Sequence, residues 1–394
     1  MDIITATSDL ATLCGDLSTD KFVAVDTEFM RESTFWPELC LIQIAGTKRE
    51  AIIDPLAPGL DLSPFFELMA NQKVVKVFHA ARQDVEIIWI LGKVIPTPMF
   101  DTQVAAMVCG FGDQIGYENL VRRLAKAEID KSSRFTDWSR RPLSAKQLAY
   151  AMSDVTHLRV IYEKLKKELD ESGREPWLEE EMAILTAPET YTARPEDAWK
   201  RIKFRARNKK QVAVLMSVSA WREREAQERN VPRSRVLKDD ALTEVASQIP
   251  VTTETLRELR ALPKGYAGSR IGDAILAAVK AGLDVDSVNI PAPADDRNQL
   301  TDAASAAAEV LRLVLKIVCE TEGIAGKLIA GTSDLEAIAM DDAADVPAMR
   351  GWRRQVFGEV ALKVKAGELG IVLKKGKARL VPMLKDARDL AAAE

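Results

Sequence analysis

Short apolar runs alternate with longer amphipathic ones in the first half of the chain. Runs rich in Val, Ile and Phe predict strands at 21–29, 39–45, 50–54 and 74–78. Helical periodicity predicts helices at 81–91, 102–109, 118–125 and 144–171. The last of these has Ser144 as a plausible N-cap and a stop near Gly173. Three consecutive strands followed by alternating elements predict a mixed sheet flanked by helices.

Strand patterns disappear after about residue 190. Helices are predicted at 208–229, 239–248, 253–261 and 269–281, and the Pro- and Asp-rich segment 289–296 predicts a linker. A second helical block follows at 301–366, where Ser333 and Glu336 resemble a capping box, and a small hairpin is expected within 370–381. We therefore expect an α/β domain at 1–190 and two all-α domains at 195–285 and 297–394.

Composition places the chain among soluble globular proteins of more than one domain. It has 394 residues, of which 47% are hydrophobic and 29% charged. Its four cysteines are widely scattered and it has only two histidines, so a structural zinc site or a disulfide framework is not expected. No apolar run approaches the roughly 20 residues that span a bilayer, and no signal peptide is evident. These features predict a cytoplasmic protein.

Charge is distributed unevenly. The net charge is −4, yet the segment from Lys200 to Lys238 contains 13 Lys or Arg against three Glu, so the remainder totals −14. Such a segment is either a solvated helix face or a binding surface for a polyanion, and the charge pattern favours neither. The best candidates for contacts with a phosphate backbone are Lys200, Arg201, Lys203, Arg205, Arg207, Lys209 and Lys210.

Carboxylates stand in or beside apolar segments at three separated places. Asp26 and Glu28 alternate onto one face at the end of a strand, and Asp84 lies where a strand turns into a helix. Tyr150 and Asp154 lie one turn apart on the long helix. Each has an ordinary explanation: a solvated strand tip, a helix N-terminal acid, or a tyrosine bonded to a carboxylate. Together, converging carboxylates would require divalent cations, and two such cations commonly serve phosphodiester hydrolysis.

The order of these residues resembles the DEDD superfamily of 3′→5′ exonucleases, which share a ribonuclease-H-like fold. Asp26 and Glu28 match its first motif, Asp84 its second and Asp154 its third. Tyr150 matches the tyrosine-type branch, since the position at which the other branch has histidine is Ala149.

A longer resemblance is to the bacterial ribonuclease D family. Segments 25–46, 100–103 and 138–155 carry it, and the helical segment with Trp199, 221–223 and 230–233 is similar to an HRDC domain. The resemblance extends to about residue 285. The block after the linker is more loosely similar to the second, diverged HRDC-like domain of that family.

This resemblance implies a function and a mechanism. It implies a 3′→5′ exoribonuclease that trims structured RNA, tRNA precursors foremost, and releases nucleoside 5′-monophosphates. A monomer is expected. Asp26 would bridge two Mg²⁺ or Mn²⁺ ions. Glu28 and Asp154 would complete one metal site and Asp84 would help to hold the other. Tyr150 would orient the attacking water, because its pKa near 10 makes it a poor base.

For several residues, and for the function itself, the sequence leaves more than one interpretation open. Phe29 and Met30 contact the terminal base or pack in the core, His79 reaches substrate or satisfies a hydrogen bond, and Gln43 in an apolar strand has no assigned role. A DNA exonuclease is the closest alternative function, since metals and carboxylates do not distinguish the two sugars. A non-catalytic RNA-binding scaffold is the alternative of another class, and the intact set of carboxylates argues against it.

Overall fold

A mixed sheet lies at the centre of the first domain. The computed structural model describes residues 2–293 and 300–383, and within them six strands form one sheet in the order β1-β4-β3-β2-β5-β6. β2 is antiparallel to β3 and parallel to β5, β3 is antiparallel to β4, and the outer pairs are parallel. The predicted mixed sheet is confirmed. The strands are β1 (Asp2–Ile4), β2 (Phe22–Met30), β3 (Glu38–Ala45), β4 (Glu50–Ile53), β5 (Val75–Phe78) and β6 (Met99–Asp101).

Seven α-helices accompany the sheet in the described part of the first domain, and α6 packs directly on β2 and β3. They are α1 (Thr7–Leu17), α2 (Ser63–Ala70), α3 (Arg82–Gly92), α4 (Thr102–Val108), α5 (Tyr117–Leu120), α6 (Ala145–Ser172) and α7 (Glu175–Leu185). In this domain the sequence patterns missed α1, α2, α7 and the three-residue strands β1 and β6. None of these three helices begins with a side-chain cap, so the usual start signal is absent. The helix predicted at 118–125 is α5 followed by one π-helical turn, Val121–Ala125.

The long helix α6 is fixed at both ends. Ser144 caps it and forms a capping box with Gln147, and Gly173 ends it with a left-handed φ of 66°. Both predicted ends are confirmed. The apolar stripe of α6 packs across β2 and β3, so the helix holds Tyr150 and Asp154 against the central strand.

Five helices between residues 209 and 283 form a separate core. They are α8 (Lys209–Glu228), α9 (Arg233–Val236), α10 (Asp239–Gln248), α11 (Thr253–Arg257) and α12 (Arg270–Leu283). Leu215, Leu242 and Ile275 lie at the centre of that core. The helix predicted at 253–261 ends earlier, at Arg257. The fully buried Glu223 is compensated by a two-pronged contact with Arg233, at 2.5 and 2.6 Å.

The described part of the C-terminal block, residues 300–383, contains five α-helices and a hairpin. They are α13 (Asp302–Glu322), α14 (Gly326–Ile329), α15 (Thr332–Met340), α16 (Gly351–Arg353), α17 (Glu359–Lys365), β7 (Leu369–Lys374) and β8 (Lys377–Pro382). The predicted hairpin is therefore confirmed. The predicted capping box of Ser333 and Glu336 is wrong, because α15 begins after Gly331, whose N–H donates to the Asp334 carboxylate at 2.8 Å. Residues 294–299 of the linker region and 384–394 of the third predicted domain lie outside the described residues.

The C-terminal block docks on the first domain. Buried residues of α13 and of the segment around Phe357 belong to the same apolar core as the sheet. Trp177 stacks on Trp352 with ring centroids 4.6 Å apart, and Arg353 pairs with Glu180 and Glu181. The three domain boundaries stay a prediction. In the part of the chain that is described, no helix combines the length and the apolar character needed to cross a bilayer.

We predict that Arg353→Ala destabilises this docking. The Arg353 side chain is only 11% exposed and also donates to the Leu328 carbonyl at 2.7 Å, so its loss leaves that carbonyl and the largely buried Glu181 carboxylate without a partner. The expected loss is about 2–4 kcal/mol in guanidinium unfolding, with faster proteolysis of the C-terminal block. Arg350→Ala is the matched control, because its pair with Asp345 is solvent-exposed. Equal behaviour of the two variants would contradict the prediction.

Candidate active site

Three carboxylates from two elements meet at one point. Asp26 and Glu28 project from the end of β2, and Asp154 reaches them from α6; one carboxylate oxygen of each lies within 4.8 Å of the others. The shared face of Asp26 and Glu28 follows from strand alternation, as the sequence predicts. Packing of α6 across β2 supplies the third member, because Tyr150 and Asp154 stand on the face that meets the strand.

The fourth predicted acid lies beside this group and is not a member of it. Asp84 is in the first turn of α3, is almost fully buried, and accepts a hydrogen bond from the Thr27 hydroxyl at 2.5 Å. It lines the same cavity as Asp26, and its charge raises the pKa of that residue. Thr27 therefore ties the second motif to the strand that bears the first, a contact that the sequence did not indicate.

Burial disfavours the ionised form of all four acids, and the neighbouring carboxylates of the site add to this effect at Asp26 and Glu28. Burial, followed by the charges of neighbouring carboxylates, raises the pKa of Asp26 well above its usual range and that of Glu28 to about 8. Burial raises the pKa of Asp84 and of Asp154 to about 7. A cavity that concentrates carboxylates without enough positive charge to balance them is suited to a divalent cation, for which oxygen donors are the preferred ligands.

Tyr150 completes the acidic group. It lies one turn before Asp154, and its hydrogen bond to that carboxylate partly offsets the burial effect on the Asp154 pKa. Burial and the nearby acids raise the pKa of Tyr150 itself, so the phenol stays protonated and acts as a donor. The indole of the buried Trp138 stacks against it, with ring centroids 6.1 Å apart.

Tyr117 is a site residue that the sequence patterns did not reveal. Its hydroxyl donates to the backbone carbonyls of Ser153, at 3.2 Å, and of Asp154, which fixes α6 at the acidic end of the cavity. His79 lies 5.3 Å from Tyr117 between ring centroids and contacts Thr102 through Nδ1 at 3.0 Å. Burial lowers the pKa of His79, so its ring is neutral, and it lines the cavity.

Two further residues stand at the rim of the cavity. Arg134 and Phe135 lie in the segment between the π-helical turn and α6, and both line the cavity of about 510 Å³. Phe135 is 90% exposed, although Ser133 on one side is buried and Thr136 on the other accepts a hydrogen bond from Gln147 at 3.2 Å. The charge of Arg134 lowers the pKa of Glu28 and Asp154. The segment is thus anchored, and its aromatic ring is held in solvent.

The other predicted substrate contacts are divided. A β-bulge between Glu28 and Phe29 changes the register of β2. Phe29 and Met30 both pack against the core, and of the two only Phe29 lines the cavity. Gln43 pairs in register with Asp26 across the β2–β3 ladder, and both polar atoms of its buried amide lack a protein partner. The polar residue in this apolar strand is therefore beside the acidic group.

The basic segment lies elsewhere in the molecule. Apolar and cationic side chains alternate along this segment. Ile202 and Phe204 pack on the core formed by α8–α12, and the intervening cations face solvent. None of the seven predicted cations is among the described residues that line the acidic cavity. Some contact neighbours: Lys200 pairs with Asp197 at 2.6 Å, and the Lys209 ammonium donates to the Ser287 carbonyl at 2.9 Å. All seven are exposed.

Comparison with known proteins places this geometry in a family. The 3′-5′ exonuclease family matches residues 1–170, and the HRDC domain family matches residues 211–279. Ribonuclease D of Nitrobacter hamburgensis is 52% identical over 96% of this chain and 98% of its own, and that of Bartonella henselae is 47% identical over 96% and 93%. The chain belongs to the ribonuclease D family.

A solved structure supports membership in the ribonuclease D family. The crystal structure of Escherichia coli RNase D, described as an exoribonuclease involved in structured RNA processing, matches with a TM-score of 0.80 at 28% identity. The match covers 92% of this chain and 98% of that one. The predicted 3′→5′ exoribonuclease class and the predicted fold are confirmed, and the acidic cavity agrees with the divalent metal use of this ribonuclease D class.

The raised pKa values predict how pH acts on the metal-free protein. Because these folded-state pKa values exceed the unfolded ones, the folded protein binds more protons, and its stability falls as pH rises from about 4 to about 8. Mn²⁺ or Mg²⁺ should reverse this loss, so the rise in Tm on metal addition grows with pH. Thermal unfolding with and without EDTA measures it.

Asp154→Asn should weaken both the loss of stability with rising pH and the rise in Tm on metal addition. Asp170→Asn, on an exposed part of the same helix, should leave them unchanged. A metal-induced rise in Tm that does not depend on pH, or that is the same in both variants, is the contrary outcome.

Proposed function

We propose that Asp26, Glu28, Asp84 and Asp154 hold two divalent ions, Mg²⁺ or Mn²⁺, and that this site hydrolyses the 3′-terminal phosphodiester of RNA. The convergence of three carboxylates within 4.8 Å in a cavity that the fourth also lines carries the proposal. When bound, the metals would supply an activated water and neutralise charge on the leaving 3′ oxygen. Nucleoside 5′-monophosphates would be the products.

The protein's own residues then position the reactants. Tyr150, protonated at neutral pH, donates a hydrogen bond to the attacking water or to the scissile phosphate and orients it for in-line attack. The Thr27 hydroxyl holds the Asp84 carboxylate in one orientation, and Tyr117 holds the backbone at Asp154. These contacts keep the acidic side chains arranged despite their repulsion.

Rim residues are suited to hold the strand end. Phe135 presents a fully accessible ring on which a base can stack, and the Arg134 guanidinium, 5.2 Å from that ring, is placed for a phosphate. Phe29 and His79 line the inner part of the cavity and are candidates for contacts with the terminal nucleotide. Met30 packs against the core and is not among the residues that line the cavity, so we do not assign it a contact with the terminal base.

The substrate we propose is structured RNA, with tRNA precursors foremost. The description of the Escherichia coli relative as involved in structured RNA processing supports the first part, and family resemblance supports the second. The exposed cations Lys200, Arg201, Lys203, Arg205, Arg207, Lys209 and Lys210 would contact the RNA backbone away from the cavity. We further propose that the chain acts as a monomer in the cytoplasm, with domains at 1–190, 195–285 and 297–394.

We predict that Asp26→Asn and Asp154→Asn each abolish nucleotide release. Each change removes one negative charge and one metal ligand, so kcat should fall on the order of 10³-fold or more, with the fold retained by circular dichroism. Asp170→Asn, an exposed position on α6, should keep wild-type activity. Release of nucleotides by a purified Asp26→Asn/Asp154→Asn protein would falsify the assignment.

The same assay separates the alternatives. Matched RNA and DNA oligomers distinguish a ribonuclease from a DNA exonuclease, because only a site that contacts the 2′-hydroxyl discriminates between them. EDTA should stop nucleotide release, whereas a non-catalytic scaffold would bind RNA equally well with or without the chelator.

A separate prediction concerns Phe135. Phe135→Ala should raise KM for single-stranded RNA ends by a factor that corresponds to about 1–3 kcal/mol of lost stacking, with little change in kcat. Phe135→Trp should keep KM near the wild-type value. Val251→Ala, which changes an exposed apolar residue between α10 and α11, is the control. RNA with abasic 3′-terminal positions should show no difference between wild type and Phe135→Ala. A difference that persists on abasic RNA would contradict stacking.

A further inference from the structure

The C-terminal hairpin concentrates positive charge on an otherwise acidic block. Residues 300–368 contain 11 Asp or Glu and eight Lys or Arg, a net charge of −3, whereas 369–383 contain four cations and no acid. The cations are Lys374, Lys375, Lys377 and Arg379, and all four are exposed. In the described part of the chain, none of the four takes part in an ion pair.

The two faces of the hairpin differ. Ile371 and Leu380 are cross-strand partners that pack against the core shared with the first domain. Strand alternation places Lys374, Lys377 and Arg379 together on the opposite face. The apolar face thus anchors the hairpin, and the cationic face points away from the anchor.

Holding these cations together costs free energy. Lys374 stands directly opposite Lys377, an arrangement that destabilises a strand pair. Lys375 adopts a left-handed φ of 52° in the turn, where Asn or Gly would be less strained. Residues that are locally unfavourable for the structure they adopt are expected where a segment has a function.

We propose that this cationic face is a second RNA-binding surface, which contacts phosphates of the substrate away from the hydrolysed end. The proposal rests on the proposed function, since it takes RNA as the polyanion. The hairpin residues do not line the acidic cavity, and the hairpin is anchored on a block that docks on the first domain. Contacts made there would therefore fix the body of a structured RNA relative to the active site.

An ordinary explanation of these cations is protection of exposed strand edges against aggregation. Charge reversal separates the two explanations, because Glu protects an edge as Lys does but repels phosphate. An acidic protein partner is another possible ligand for the face, and it predicts unchanged RNA affinity.

The test compares two sets of triple variants. Lys374, Lys377 and Arg379 are changed together to Gln or to Glu, and Lys21, Lys48 and Lys73, which are exposed on the first domain, are changed in the same way. Binding of a stem-loop RNA with a 3′ extension is measured in EDTA over a range of salt concentrations. This measurement does not depend on catalysis.

The hairpin Gln variant should bind RNA about tenfold more weakly, with a salt slope reduced by roughly 2–3, and the Glu variant more weakly still. With metal, KM for the stem-loop RNA should rise while kcat stays the same. The control variants should bind close to wild type. Equal affinity and slope in the hairpin and control sets, or a soluble Glu variant that binds RNA as wild type does, would overturn the proposal. Loss of metal-dependent hydrolysis in the wild type would instead contradict the proposed function.

Discussion

Repulsion among partly buried carboxylates is the constraint around which the first domain is organised. Asp26, Glu28 and Asp154 are held together at a position where burial alone already disfavours their charge. The fold offsets this cost with contacts that fix the backbone segments from which the three carboxylates project. Strand β2 is buried in the sheet, α6 is capped at both ends and packed across it, and Tyr117 holds the α6 backbone at Asp154. A cation is the remaining contribution that would make the arrangement favourable.

Residues around the acids stabilise them in different ways. Thr27 satisfies Asp84 from the opposite face of the same strand that carries Asp26 and Glu28, so adjacent positions on β2 serve two motifs. Arg134 is a positive charge that lowers the pKa of Glu28 and Asp154 from the rim, where it stays accessible to an anion. The cavity therefore combines a strongly acidic floor with a cationic and aromatic edge, a charge layout suited to a strand of nucleic acid that enters with its phosphates toward bound metal.

The sequence revealed the acidic residues because the patterns that mark them, strand alternation and helical spacing, span only a few residues. Strand alternation joined Asp26 to Glu28, and helical spacing joined Tyr150 to Asp154. Tyr117 and Arg134 carry no such signal, since their roles depend on how α5 and the segment between α5 and α6 are placed relative to the sheet. The N-cap Ser144 was predictable because its signal is local, although its capping-box partner Gln147 was not foreseen. The helices α1, α2 and α7 lack a capping side chain and were missed. The docking of the C-terminal block also lay beyond local patterns, because it joins Trp177 to Trp352 across a long stretch of chain.

That docking brings two stretches of main chain into direct apposition. Gly110, with φ of 78°, faces the backbone of Gly323, and a Cβ built on Gly110 would lie 2.4 Å from the Gly323 carbonyl oxygen. Arg174 donates to that same carbonyl at 3.1 Å. Any side chain at position 110 would have to force the two domains apart. A missing methyl group thus sets how closely the catalytic body and the C-terminal block can approach, and natural variation at this position should be far narrower than on the surrounding surface.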